Sequence, residues 1–124
     1  MNTALTVNEA IDALPGIAGK EVTVIGMLKF EFEYFALEHS PYREKRKALP
    51  GALHLSNSSL WIEIDMDCHQ LDNSYLENLN GKLVSIKGKL YSPDPVMGGS
   101  GHLSAWPASI VASAIKRISK SRNK

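Results

Sequence analysis

The sequence predicts a mainly β domain, a five-stranded and partly open barrel with one helix before the first strand and another between the third and fourth. Three observations carry this. Residues 20–37 alternate by twos, with Val22, Val24, Leu28, Phe30, Phe32 and Tyr34 on one face and Glu21, Thr23, Lys29, Glu31 and Glu33 on the other, the period of a half-buried strand. Residues 59–65 and 82–91 alternate in the same way. Gly26 and Gly88 interrupt the apolar faces of their strands midway, where a missing side chain permits a bulge or sharp coil, so one strand can serve both halves of a curled sheet.

Taken in order, Thr6 followed by Glu9 makes a capping box, and Val7, Ala10, Ile11 and Leu14 share one face of a helix within residues 1–16 that Pro15-Gly16 ends. This helix is expected to plug one end of the sheet. The long strand follows. After Tyr34 the apolar positions become Phe35 and Leu37, a slip that a bulge or tight turn leaves behind, so residues 34–38 start a second strand. Residues 39–51 hold Arg43, Lys45, Arg46 and Lys47 between Pro41 and Pro50 and read as an exposed loop. Residues 52–55 return as a short strand, and Asn57-Ser58 turns the chain into the third strand, where Leu60, Ile62 and Ile64 alternate with Ser59, Trp61, Glu63 and Asp65. Leu71, Tyr75, Leu76 and Leu79 recur at helical spacing over residues 68–79, which Asn80-Gly81 closes. In the fourth strand Val84, Ile86 and Leu90 point inward. Residues 92–101 are too rich in glycine and proline for anything but a loop. From 102 onward Leu103, Ala105 and Val111 suit a strand ending near 112, while Ile110, Val111, Ala114, Ile115 and Ile118 after Pro107 also fit a helix. The strand is adopted, and the basic tail 116–124 is expected to fray.

At 124 residues the chain is the size of one domain, and a 44% hydrophobic content suffices for a real core. A net charge of +1 supplies no global field to recruit nucleic acid or an anionic membrane, so any such binding has to come from a local patch. Cys68 is the single cysteine, which rules out an internal disulfide and fits a reducing compartment. The N-terminus lacks the basic start and apolar run of a signal peptide, and no stretch approaches the roughly 18 apolar residues of a membrane span, so a cytoplasmic location is expected.

A helix between the third and fourth strands of a five-stranded antiparallel set resembles the OB-fold. The details are similar to those of small bacterial OB-like proteins: Val24-Ile25-Gly26 leading into Phe32-Glu33 and Ala36-Leu37, then Leu60-Trp61-Ile62, Leu79-Asn80-Gly81-Lys82 and Gly101-His102-Leu103, over residues 20–111. The resemblance implies a face on strands two and three, with flanking loops, that binds oligonucleotides or oligosaccharides. A shared fold does not carry function with it.

The leading functional expectation is a binding module and not an enzyme. Outward Ile25, Met27 and Trp61, with Tyr42, Met97 and His102 in the loops, form its contact surface for a protein partner or a second copy. A free sheet edge would permit a homodimer. The alternative is single-stranded nucleic acid, with Trp61 and Tyr42 as stacking platforms and Arg43, Lys45, Arg46 and Lys47 tracking the backbone. Against it, Glu31, Glu33, Glu63 and Asp65 share the outward faces and repel phosphate. The plainer reading has Trp61 covering a second small core and residues 43–47 as a solvated run. Asp65, Asp67, Cys68 and His69 offer ligand atoms, but no second ligand pair stands at a recognised spacing, so no metal and no cofactor are expected. His102 could meet Glu33 or His39, although a histidine orienting a loop is the commoner case. No nucleophile, base and orienting acid assemble from any local motif, and Cys68 reads as a small buried hydrophobe.

Overall fold

In the computed structural model, which describes residues 4–31, 34–40, 58–65, 67, 71–92 and 108–118, the chain enters the sheet before its first helix. Leu5–Thr6 (β1) pairs in parallel with the strand Glu21–Glu31 (β2). Thr6 then caps the helix Val7–Asp12 (α1): Glu9 N–H donates to Thr6 Oγ1 at 3.2 Å and Thr6 N–H donates to Glu9 Oε1 at 2.8 Å, the expected box. The helix is shorter than the 1–16 predicted. Pro15-Gly16 does not end it but lies within a second short helix, Leu14–Ile17 (α2), because a proline in a first turn has no N–H to leave unpaired. Val7, Ala10 and Leu14 are buried in the main core, so the helical segment does plug the sheet.

The stretch after Lys20 is two strands. β2 ends at Glu31 and Tyr34–Glu38 (β3) returns antiparallel to it, with Phe30 opposite Phe35 and Glu31 opposite Tyr34. Opposed residues in a hairpin face the same way. Phe30, Phe35, Leu28 and Leu37 therefore all turn to the core, while Tyr34 goes outside, against the expectation that it shares the face of Val24 and Leu28. The two phenylalanine rings meet edge to face at 5.1 Å.

Ser59–Ile64 (β4) pairs antiparallel with β3, and Leu60 and Ile62 are buried as predicted. The next helix is Asn73–Leu79 (α3), later than the 68 expected, because Asp72 is its cap and accepts from Tyr75 N–H at 2.9 Å. Gly81 closes it at φ +81°, a conformation glycine adopts without strain. Leu83–Tyr91 (β5) buries Val84, Ile86 and Leu90, and Ser109–Arg117 (β6) runs antiparallel beside it.

β6 departs most from expectation. It continues to Arg117, five residues beyond the predicted end, so Lys116 and Arg117 belong to the sheet, and Ile118 N–H still donates to Leu83 O. Its core-facing residues are Ile110, Ala112 and Ile115, with Ala108 buried just before it, and Val111 faces out. The parity changes at Ser113, the extra residue where the register with β5 slips between Lys87 and Gly88. Gly88 is required there, because a Cβ would run into the Val111 carbonyl. The predicted strand at 52–55, residues 41–51 of the first predicted loop and residues 93–101 of the second lie outside the described residues, as do 56–57, 102–107 and 119–124.

The pairing returns on itself as a ring. β2 bonds to β3 along residues 27–31 and to β5 along residues 21–27; β3 leads to β4, β4 to β6, and β6 back to β5. The sheet is mixed and not all antiparallel as expected, since β4 and β6 run parallel and β1 adds a sixth strand. Where β2 leaves β5, the end of α3 takes over: Leu28 N–H donates to Lys82 O at 3.0 Å, Gly81 N–H to Leu28 O at 2.8 Å, and Phe30 N–H to Asn80 Oδ1 at 2.8 Å. Leu28, Leu37, Leu60, Ile62, Ile86, Leu90, Ile110 and Ile115 are fully buried within. Each such side chain contributes about 1.5–3 kcal/mol of transfer free energy.

Candidate functional site

The outer surface of β3 and β4 is where apolar side chains face away from the core. Register sets the rows. Lys29, Ala36, Trp61, Ser109 and Tyr91 lie side by side across β2, β3, β4, β6 and β5, and Met27, Glu38 and Ser59 form the next row. Ala36 is fully buried, yet not in the main core: it lies beneath Tyr34 and Trp61, both half-buried. A small residue at the centre of the row lets the two rings settle on the backbone, giving the second small apolar cluster anticipated for Trp61.

Tyr34 reaches along β3 past Ala36, and its hydroxyl donates to Glu38 Oε2 at 2.5 Å. Burial first, then the hydrogen bond to Glu38 and the negative charge of Glu38 and Glu31, hold the phenol well above the usual tyrosine range. The phenol is thereby kept neutral and its hydroxyl tied to Glu38. Glu38 is itself only 6% exposed, and the neighbouring Ser59 Oγ is fully buried with no hydrogen-bond partner among the described residues.

Among the expected contact residues, Met27 is brought to the row beside that of Trp61, half-buried between Glu38 and Leu83. Ile25 points to the same side but a row further on, flanked by Thr6 of β1 and Ser85 of β5. Tyr42, Met97 and His102, and the cations Arg43, Lys45, Arg46 and Lys47, lie outside the described residues. Tyr34, Glu38 and Tyr91 join the face without having been expected there. The signal for Tyr34 is present in the sequence: Leu28 and Phe30 mirror Leu37 and Phe35 about Phe32-Glu33, a palindrome that a two-residue turn produces and a continuous strand does not.

His39 serves structure. It is 3% exposed, its Nδ1 accepts from Asn8 N–H at 3.1 Å, and its own N–H donates to Ser58 O at 2.9 Å. Ser58 Oγ in turn donates to Asn8 Oδ1 at 2.7 Å, so the start of α1 and the adjoining ends of β3 and β4 are bound together. Asp65 Oδ1 accepts from Asp67 N–H at 3.0 Å in a local turn. Among the described residues no group of three or more histidine, cysteine or acidic side chains is placed to hold a metal ion, and Cys68 and His69 lie outside them. No described helix is long and apolar enough to cross a membrane.

No family model and no curated protein matches the chain. Solved structures to which the chain is similar include three OBodies, each bound to hen egg-white lysozyme. OBody AM2EP06 is 17% identical at a TM-score of 0.53, over 98% of this chain and 96% of its own. OBody AM3L15 is 18% identical at 0.49, over 86% and 88%, and OBody AM3L09 is 16% identical at 0.46, over 86% and 89%. The likeness to AM2EP06 supports an OB-like architecture: mainly β, with six strands in a mixed sheet bonded as a ring.

Proposed function

We propose that this chain is a non-enzymatic binding module whose outer β3–β4 face, centred on Trp61 and Tyr34, contacts a protein partner. The observation that carries this is the pair of aromatic rings held over Ala36 on the outside of the sheet, with Met27 in the adjoining row. Rigid aromatic side chains on an otherwise polar face are the usual anchors of a protein contact. That a scaffold of similar fold is bound to lysozyme supports the capacity of the architecture for such a role. The carboxylates Glu31, Glu38 and Glu63 around the rings weigh against a phosphate backbone at the same place.

Tryptophan fluorescence separates the two readings. With Trp106→Phe leaving Trp61 as the sole reporter, short single-stranded DNA and RNA added at low salt are expected to leave the emission unchanged. Saturable quenching that weakens steeply with salt would replace the protein-contact reading with nucleic-acid binding.

A further inference from the structure

Beside the aromatic row the bulge opens a concavity of about 440 Å³ on the outer face of β4, β6 and β5. We infer that it receives an arginine or lysine side chain of the protein partner. The inference rests on the proposed β3–β4 contact face and extends it by one row. Register again fixes the arrangement: Glu63 of β4 stands opposite Val111 of β6, Val111 opposite Lys89 of β5, and Lys89 opposite Glu21 of β2. Asp65 closes the β4 end, and Tyr91 belongs to both this concavity and the Trp61 row.

Charge complementarity selects the occupant. Among the described residues, three carboxylates, Glu21, Glu63 and Asp65, line the concavity with Lys89 as the sole cation. Glu21 is partly offset by Lys87 at 3.8 Å, and one oxygen of Asp65 is engaged by Asp67 N–H. Glu63 and Asp65 both line the β4 side of the concavity. Val111 and the ring of Tyr91, which is 41% exposed, supply an apolar floor and wall. A long side chain with a methylene stem and a cationic head matches both parts, the stem against Val111 and Tyr91 and the head among the carboxylates, with cation–π attraction available from Tyr91. A neutral or anionic side chain gains the floor and not the rim.

The test is an amide NMR titration with a blocked heptapeptide in which three arginines alternate with glycine, and with the same peptide carrying citrulline for arginine. The arginine peptide is expected to produce saturable shifts confined to residues around Glu63, Asp65, Lys89 and Val111. Citrulline should give markedly smaller shifts. The double variant Glu63→Gln, Asp65→Asn is expected to weaken the arginine response by about fivefold, since exposed ion pairs are individually weak. An equal citrulline response, shifts scattered over carboxylates elsewhere on the surface, or an undiminished response in the double variant would each overturn the inference. Trp61→Ala distinguishes the two levels of reading. Its loss of partner contact bears on the β3–β4 face, while the heptapeptide response at Glu63 and Asp65 bears on the cation site alone.

Discussion

Gly26→Ala tests the closeness of strands on which the ring depends. A Cβ at Gly26 would stand 2.5 Å from the Glu38 carbonyl oxygen and 2.8 Å from Leu37 Cγ, where ordinary contact begins at 3.4 Å. The nearer obstacle is backbone, so β3 must retreat by roughly 0.9 Å along the edge where it bonds to β2. Positive φ plays no part, because Gly19 and Gly81 are the glycines with that conformation among the described residues. Overpacking of this kind costs typically 1–3 kcal/mol, which gives about 2 kcal/mol for alanine and about 3 kcal/mol for valine, whose added methyls press on Leu37. For a domain of this size that corresponds to a fall in Tm of about 10 °C. Gly16→Ala is the control: Gly16 lies exposed in α2, a Cβ there would meet nothing within 4 Å, and alanine should raise stability by about 0.5 kcal/mol. Urea and thermal unfolding read both. An undiminished midpoint for Gly26→Ala would mean that β3 does not pass so close to β2, and the ring pairing would have to be abandoned.

Thr6→Ala removes one half of the capping box and is expected to cost about 1 kcal/mol in urea unfolding, with Glu9→Gln costing less because the amide can still accept from Thr6 N–H. Tyr34 should ionise above the ordinary tyrosine range when absorbance near 295 nm is followed through alkaline pH and compared with Tyr34→Phe, since its phenol is raised and stays neutral in the folded state. The sign for stability follows: the unfolded chain releases that proton near the ordinary tyrosine value of about 10, so the contribution of Tyr34 is complete below that pH and is lost as pH rises above it. Tyr34→Phe should abolish this part of the alkaline decline.

How much was legible divides along physical lines. Alternation located β2, β4 and β5 and named their buried residues, because a half-buried strand writes its period directly into the sequence. The capping box was legible for the same reason: both partners lie within one turn. The antiparallel return of β3 along β2 was harder, since counting by twos carries Tyr34 to the wrong face unless the mirrored pattern is noticed. β6 was least legible. Its parity change depends on the bulge opposite Gly88, a long-range fact, and Val111, one of the apolar residues that suggested a strand, lines an outer concavity. For the candidate site, Trp61 and Met27 could be placed by parity alone. Ala36 gave no sign of being the seat of the aromatic pair, because its role arises from pairing with Trp61 across two strands distant in sequence.

The most direct test of the central claim is a photo-crosslinking residue introduced at Ser109, between Trp61 and Tyr91, compared with one at the exposed Asn78 of α3. In cells of the source organism, the account predicts a discrete protein adduct from position 109, absent from position 78 and lost when Trp61→Ala is added. Equal labelling from both positions, or an adduct at 109 that survives Trp61→Ala, would contradict the claim that this face is the contact surface.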